Sequence, residues 1–280
     1  MFNTSEWPKI DFGLEDIPRE AQKLTGKLSI SGVQPKLSMK LDKKENLLVS
    51  VAEGGEYILK PQIPTFPNIP ENEQCCMDIA QESEIDIPPH CLLHLKDGSL
   101  AYIVKRFDRG AGLKIHQEDF SQILGVDDKY KGSVEQIGRK LKEISTVPKY
   151  DAQLFFERVV FNFIIGNGDA HLKNYSIAYR DKETIRLTPA YDIVCSKLVI
   201  PDETDSALTI NGKNSKLKKE DFDKLADYLG VPLKIRYEKV EKKLSIMETI
   251  IKSSKIKTDS QKRFIDIIKE RLSRLGLAEK

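Results

Sequence analysis

Cysteine and net charge are both scarce in this sequence of 280 residues. The four cysteines form no C-x-x-C pair, since Cys75 and Cys76 are adjacent and Cys91 and Cys195 stand alone. This pattern excludes zinc ribbons and thioredoxin-like redox sites, and it favours a reducing compartment over a disulfide framework. The 45 basic and 43 acidic side chains leave a formal net charge of +2. That balance gives no electrostatic reason for direct nucleic-acid binding.

Long apolar runs and an N-terminal leader are also missing. No run approaches the roughly 18 apolar residues that a membrane span needs. The N-terminal sequence MFNTSEWPKIDFG lacks the basic and apolar regions of a classical secretion signal. We therefore expect a cytoplasmic protein without membrane contact. Two common phosphate-binding patterns, G-x-G-x-x-G and G-x-x-x-x-G-K-[ST], are absent as well.

The most informative segment is 166–192, GNGDAHLKNYSIAYRDKETIRLTPAYD. Asp169 and Asn174 are five residues apart, and Asp192 follows a predicted β-hairpin. A kinase catalytic loop has this Asp-to-Asn spacing, with a separate metal-binding Asp further along. One carboxylate accepts the proton of a hydroxyl nucleophile, while an amide oxygen and a second carboxylate hold Mg²⁺. The spacing predicts Asp169 as catalytic base and Asn174 and Asp192 as metal ligands.

The flanking pattern supports a loop between buried elements. Asp151 is a candidate N-cap for a helix that is apolar on nearly all sides. The helix should end at Gly166, because the sequence Gly-Asn-Gly suits left-handed backbone positions. Segments 175–179 and 184–187 then alternate as two strands. The alternative is a turn whose Asp and Asn side chains only cap the backbone.

A strand lysine provides the expected nucleotide contact. Lys60 ends the strand-like run YILK, which resembles the V-A-I-K pattern of kinases. Its ammonium would pair with the α- and β-phosphates of ATP, and Glu73 is the candidate carboxylate that holds it. The alternative is a surface lysine on an edge strand. The loop SISGVQPK at 29–36 could cradle phosphate through backbone N–H groups, with a plain β-turn as its alternative.

The order of predicted elements gives the fold class. A small β-rich lobe at 1–106 precedes a larger, mainly helical lobe at 107–280, so we predict a bilobed α+β fold of the protein-kinase type. Segment 104–109 would be the hinge beside the purine, and His116 is interpreted as structural. The predicted strands are 29–41, 47–51, 57–60, 91–95 and 100–106, and the predicted helices include 71–84, one capped at Ser133, 219–229, 232–253 and 258–275.

With these segments placed, the chain resembles the HipA family of serine/threonine kinases, the toxins of bacterial toxin–antitoxin pairs. The motifs occur in the family's order: SISGVQPKLSM, YILKP, ENEQCCMDIA, VKRFDR, HQEDFSQILG, GNGDAHLKNYSI and LTPAYDIV. The resemblance covers about residues 25–275. It implies Mg²⁺ and ATP as cofactors and an aminoacyl-tRNA synthetase as protein substrate. It also implies an antitoxin of the HipB type, through which alone the chain would meet DNA.

The resemblance also assigns residues. It implies autophosphorylation at Ser29 or Ser31, which would expel the phosphate loop and switch the kinase off. The ATP-binding residues that it implies are Ser31, Gly32, Val33, Gln34, Pro35, Lys36, Lys60, Lys105, Arg106, Phe107, His171, Leu172, Lys173, Asn174, Tyr191 and Asp192.

Two departures from the family pattern stand out. Only about 25 residues precede the phosphate loop, whereas full-length members carry an additional N-terminal subdomain. The chain therefore resembles the short HipT-like branch, in which that subdomain is a separate small HipS-like protein. Lys105 also replaces the usual hinge acid, so that an adenine contact there would come from the backbone. The remaining alternatives are a small-molecule phosphotransferase and an inactive pseudokinase that acts as a corepressor.

Overall fold

The computed structural model describes residues 1–25, 34–110, 113–181 and 183–277. The chain divides into two compact units. The first comprises residues 1–74 and 88–113, and the second comprises residues 75–87 and 114–280. Among the described residues, no helix combines the length and apolar character that a membrane span requires.

An antiparallel five-stranded sheet forms the centre of the first unit. Its order is β2-β1-β3-β5-β4, and the predicted strands are confirmed except that the described part of 29–41 becomes extended only at Leu37. The sheet buries Leu37, Met39 and Leu41 on one side of β1, as period-two alternation requires. The strand bounds are β1 Leu37–Asp42, β2 Leu47–Ser50, β3 Tyr57–Pro61, β4 His90–His94 and β5 Leu100–Lys105.

The core of this unit lies between the sheet and the N-terminal arm. Phe2 packs against Tyr57 with ring centroids 5.0 Å apart, and Phe12 and Ile17 are buried in the same cluster. Helix α1 (Ile17–Thr25) follows the arm, and helix α2 (Ile69–Glu82) follows the proline-rich connector. The arm therefore supplies apolar side chains to the sheet, which the sequence pattern alone did not indicate.

The second unit is mainly helical. Its longest elements are α5 (Pro148–Ile164) and α8 (Thr258–Arg274), which pack against each other. Twelve of the 17 residues of α5 are buried, which confirms the prediction that this largely apolar helix is buried. The remaining elements are α3 Phe120–Leu124, α4 Val134–Ile144, α6 Lys219–Leu229, α7 Leu244–Ser253 and the antiparallel strands β6 His116–Asp119, β7 Ser176–Tyr179 and β8 Ile185–Leu187.

The capping box predicted at the start of α4 is confirmed. The hydroxyl of Ser133 accepts the N–H of Gln136 at 3.2 Å, and the Gln136 side chain accepts the N–H of Ser133 at 3.0 Å. Two helix N–H groups are thereby satisfied.

Asp151 is not the N-cap of α5, so that prediction was wrong. The helix begins at Pro148, because proline lacks the N–H that a first helical position leaves unpaired. Asp151 lies in the first turn and is fully buried. It accepts the hydroxyl of Ser145 at 2.6 Å and the guanidinium of Arg186 at 2.8 Å. Its role is to tie the helix to β8.

The predicted helix at 232–253 is also wrong in its first half. A short 3-10 helix at Leu233–Ile235 is followed by turns, and α7 begins only at Leu244. Lys242 has a φ of +60°, which an α-helix does not tolerate. The buried Arg236 donates to the carbonyl of Val231 at 3.2 Å and to the carboxylate of Asp227. These bonds fold the segment back onto α6.

Candidate active site

The loop that carries Asp169 leaves α5 through a fixed turn. Gly166 has a φ of +71°, in the left-handed region, and its N–H donates to the carbonyl of Phe163 at 3.2 Å. Asn167 then binds Asn162 twice, through its main-chain N–H at 2.8 Å and its side-chain amide at 3.0 Å. The helix end therefore determines where the loop begins.

Gly168 lies against a polar support that the sequence did not reveal. Its N–H donates to the hydroxyl of Ser196 at 2.8 Å, and that hydroxyl donates to Glu203 at 2.6 Å. A Cβ atom on Gly168 would lie 2.6 Å from the carbonyl oxygen of Thr204. Burial raises the pKa of Glu203 to about 7, against the hydrogen bonds from Ser196 and Gly168, and the Asp169 charge adds to the rise.

Asn174 closes a short turn that begins soon after Asp169. Asp169 is half-buried and accepts the hydroxyl of Tyr130 at 2.8 Å. The side-chain oxygen of Asn174 accepts the N–H of His171 at 3.0 Å, and the Asn174 N–H returns to the His171 carbonyl at 3.0 Å. This pair of bonds closes the 3-10 turn Leu172–Asn174 and fixes Asn174 relative to His171.

His171 is buried, and three charged side chains influence its imidazole. Burial lowers its pKa, the carboxylates of Asp169 and Asp192 oppose that shift, and the Lys129 ammonium adds to it. Within the described part of the chain, its buried Nδ1 atom has no hydrogen-bond partner. The hydroxyl of Tyr191 donates to the carbonyl of Lys173 at 3.0 Å, so the residue before Asp192 lies against the turn that contains Asn174.

Hydrogen bonds to other segments of the second unit hold the residues that precede Asp192. The hydroxyl of Tyr191 donates to the carbonyl of Lys173 at 3.0 Å and is hydrogen-bonded to the hydroxyl of Ser176. Thr188 and Ala190, four and two residues before Asp192, are also anchored through their main-chain atoms. Asp192 itself has a φ of +55°. A non-glycine residue rarely adopts this conformation, and such strain concentrates at functional positions.

Asn174 and Asp192 provide the chemistry that Mg²⁺ prefers. Both offer oxygen ligands, and an amide oxygen with one hydrogen bond keeps a second lone pair for a metal. No group of three or more His, Cys, Asp or Glu residues forms a metal cluster within the described ranges. A site that uses few protein ligands and takes others from phosphates is the usual arrangement for Mg²⁺ in phosphoryl transfer. The donor set therefore fits the ion.

The first unit contains the lysine that the sequence indicated. The Lys60 ammonium lies 2.5 Å from the Glu73 carboxylate, and both side chains are at most 5% exposed. The same ammonium lies 5.5 Å from the ring centroid of Tyr102. A buried lysine needs such a partner to remain charged. Lys60 is thus a fixed, buried cation and not a mobile surface lysine.

The other predicted ATP contacts have mixed surroundings. The Gln34 side chain donates to the carbonyl of Pro61 at 2.8 Å, next to Lys60. Arg106 forms an ion pair with Asp108 at 2.7 Å, between Lys105 at the end of β5 and Phe107. In the second unit Leu172 is fully buried and Lys173 is exposed. Pro35 and Lys36 precede β1, and Ser29, Ser31, Gly32 and Val33 lie outside the described residues.

Several residues around the site could not be identified from sequence patterns. Tyr130, Ser196 and Glu203 contact the Asp169 loop from distant positions in the chain. Arg158 is buried on α5 and donates to the carbonyl of Thr188 at 2.7 Å, on the way to Asp192. No local spacing links any of them to the loop. Only the buried polar character of Arg158 within an apolar helix was a visible signal.

Several known proteins are similar to this chain in sequence or fold. The family model of the HipA-like C-terminal domain matches residues 28–258. The candidate kinase Y4dM of Sinorhizobium fredii is 39% identical over 227 residues, which cover 74% of this chain and 55% of that protein. The serine/threonine-protein kinase toxin HipA of Shewanella oneidensis is 27% identical over 208 residues, 66% of this chain and 47% of the toxin.

A solved structure supports the fold independently. HipA of Shewanella oneidensis, determined in complex with HipB and operator DNA, matches 90% of this chain and 66% of its own with a TM-score of 0.74 and 21% identity. The predicted α+β fold of the protein-kinase type is thereby confirmed. The chain spans about half the length of the curated relatives it matches. The chain belongs to the HipA-like C-terminal domain family.

Proposed function

We propose that the chain is an ATP-dependent kinase that phosphorylates serine or threonine hydroxyls of a protein. The observation that carries this proposal is the hydrogen bond from Tyr191 to Lys173, which brings the Asp192 segment to the turn closed by Asn174, shortly after Asp169. Phosphoryl transfer needs positioning, charge stabilisation and one proton acceptor, and little covalent chemistry from the protein.

Each residue has a role in this proposal. Asp169 orients the acceptor hydroxyl and takes its proton, and Asn174 and Asp192 supply oxygen ligands. Mg²⁺, when bound, neutralises charge on the nucleotide phosphates. Lys60, fixed by Glu73, contacts the α- and β-phosphates. Further ATP contacts come from segments 31–36 and 105–107 and from His171, Leu172, Lys173 and Tyr191.

We further propose that this kinase is the toxin of a toxin–antitoxin pair in the cytoplasm. Membership of the HipA-like family and the likeness to a kinase toxin support this role. The substrate would be an aminoacyl-tRNA synthetase, whose phosphorylation would inhibit translation. An antitoxin of the HipB type, and possible restraint by a separate HipS-like protein, belong to the same proposal.

Conservative changes at the two carboxylates test the kinase assignment. Asp169→Asn and Asp192→Asn should each abolish phosphate transfer from radiolabelled ATP to a protein band in a cell lysate, with unchanged circular dichroism. Asp202→Asn is the control, because Asp202 is an exposed carboxylate of the same unit. Unchanged transfer by Asp169→Asn would refute the assignment, and label in small molecules alone would indicate a different phosphotransferase.

Mass spectrometry tests the proposed self-inactivation. After incubation with Mg·ATP, wild type should carry phosphate on Ser29 or Ser31, and Asp169→Asn should not. Each phosphate adds about −1.5 to −2 charges, so replacing both serines by aspartate should weaken ATP binding. Equal ATP affinity of that double variant and wild type would contradict self-inactivation.

A further inference from the structure

Tyr130 makes a contact that the proposed function does not yet use. Its hydroxyl donates to a carboxylate oxygen of Asp169 at 2.8 Å, although 39 residues separate the two in the sequence. The Tyr130 side chain is 48% exposed. An exposed phenol therefore lies on the carboxylate that the proposal assigns as catalytic base.

The Tyr130 ring is fixed by the surrounding loop. The N–H of Tyr130 donates to the Asp128 carboxylate at 3.0 Å, and the N–H of Leu172 donates to the carbonyl of Lys129 at 3.1 Å. The ring meets the imidazole of His171 edge to face, with centroids 5.4 Å apart. The Lys129 ammonium lies 4.9 Å from the centroid of the same ring. These contacts direct the hydroxyl to Asp169.

The hydrogen bond has the chemistry of a bound phosphate acceptor. In a kinase the catalytic carboxylate accepts a hydrogen bond from the hydroxyl that attacks the γ-phosphorus. A tyrosine hydroxyl at 2.8 Å presents the same donor to the same oxygen. Burial and the hydrogen bond to Asp169 raise the pKa of Tyr130 to about 12. The phenol is therefore protonated, and remains a donor, at neutral pH.

We propose that Tyr130 is an acceptor-site residue whose hydroxyl occupies the substrate's place on Asp169 until a substrate hydroxyl displaces it. This inference rests on the proposed kinase function and adds a selection step to it. A protein substrate also contacts the kinase outside the Asp169 carboxylate, and this additional binding lets its hydroxyl displace that of Tyr130. Water has no such additional contacts and competes poorly with Tyr130. Tyr130 would thus suppress ATP hydrolysis in the absence of a protein acceptor.

The rate of ATP hydrolysis, with water as the acceptor, tests this role. In that reaction a water oxygen attacks the γ-phosphorus, its proton passes to Asp169, and ADP leaves with the bridging oxygen. Tyr130→Phe keeps the ring but removes the donor. It should raise phosphate release from Mg·ATP about fivefold or more, as expected for the loss of one competing hydrogen bond. Tyr228→Phe is the matched control, because Tyr228 is 47% exposed in the same unit.

The alternative outcomes are distinct. If wild type releases phosphate faster than Asp169→Asn and Tyr130→Phe is equal to or slower than wild type, the acceptor-site role is wrong; a slower rate would mean that Tyr130 positions Asp169. If neither wild type nor Tyr130→Phe releases phosphate faster than Asp169→Asn, the acceptor-site role is wrong; the kinase proposal fails as well only if wild type also transfers no phosphate from ATP to protein.

A second readout does not depend on activity. Tyrosine ionisation, followed by absorbance near 295 nm, should show one residue titrating at lower pH in Asp169→Asn than in wild type. That difference should disappear when Tyr130→Phe is the background. Identical titration curves for wild type and Asp169→Asn would remove the hydrogen bond on which the inference depends.

Discussion

Gly168 and Ser196 are joined by a hydrogen bond of 2.8 Å, although they lie 28 residues apart in the sequence. The Ser196 hydroxyl in turn donates to the Glu203 carboxylate at 2.6 Å. The residue before the candidate catalytic base is therefore held by side chains from the segment that follows Asp192. Support of this kind keeps a functional carboxylate in one position, which catalysis by positioning requires.

Gly168→Ala should disrupt the site more than the fold. The new Cβ would meet the Thr204 carbonyl at 2.6 Å, so the backbone of the loop must move. A displacement of about 1 Å is expected to reduce phosphate transfer about 100-fold, while overpacking costs about 1–3 kcal/mol of unfolding free energy. Transfer kinetics and urea denaturation measure the two effects separately.

Gly230→Ala is the control for that experiment. Gly230 has a φ of +80° at the end of α6, and a Cβ there meets no atom within 4 Å. The change should cost about 1 kcal/mol through backbone strain alone. Its transfer rate should equal that of wild type. A comparable loss of transfer in both variants would mean that general destabilisation explains the Gly168 result.

Variants of Lys60 and Glu73 should distinguish the effect of Lys60 on ATP binding from its effect on the free energy of unfolding. Lys60→Met removes the ammonium that lies 2.5 Å from the buried Glu73 carboxylate, at a cost of about 3–5 kcal/mol. The double change Lys60→Met and Glu73→Leu removes both charges and should recover most of that stability. It should not recover ATP binding, measured by calorimetry. Lys40→Met is the control, because Lys40 is exposed on a strand of the same sheet. Recovered ATP affinity in the double variant would contradict the phosphate contact.

Local patterns predicted most of the elements. The strand-like run that begins at Tyr57 and the capping box at Ser133 rest on residues close in sequence, and both elements formed as expected. The end of α5 at Gly166 was equally visible, because a left-handed glycine is a local property. The 3-10 turn that contains Asn174 likewise rests on bonds between His171 and Asn174, which are neighbours in the sequence.

Interactions between distant residues account for what could not be predicted. Asp151 has the composition of an N-cap, but it pairs with Arg186, 35 residues later. Arg236 lies in the first half of the predicted helix 232–253, but its guanidinium binds the Val231 carbonyl and the Asp227 carboxylate, so this part folds back onto α6. Tyr130 and Glu203 likewise reach the site only through the tertiary fold.

Tyr191→Phe tests whether Tyr191 positions Asp192 or contacts the nucleotide. The hydroxyl binds the carbonyl of Lys173 at 3.0 Å and the hydroxyl of Ser176, so its loss should loosen the segment before Asp192. We expect kcat to fall about tenfold, from the loss of about 1.4 kcal/mol of positioning, with little change in KM for ATP. Tyr150→Phe, at a half-exposed tyrosine on α5, should leave both constants unchanged. A rise in KM alone would instead indicate a direct ATP contact.

Stability in acid should depend on Asp205, which fastens the segment after the site to α8. Burial alone would raise its pKa, but hydrogen bonds from Arg274, the Leu217 N–H and Arg271 bring the pKa to about 2, below the ordinary 3.8. Because the folded pKa is depressed, this stabilisation is fully present above about pH 4 and is lost as the pH falls towards 2. The linked free energy is about 2 kcal/mol. The stability difference between wild type and Asp205→Asn, measured by urea denaturation, should therefore shrink by about that amount between pH 5 and pH 2.

Glu248→Gln is the control, because Glu248 forms ion pairs with Lys252 and Lys269 on the surface. It should show no comparable change, since exposed pairs contribute little. A constant difference for Asp205→Asn across that range would mean that the carboxylate is not ionised preferentially in the folded chain.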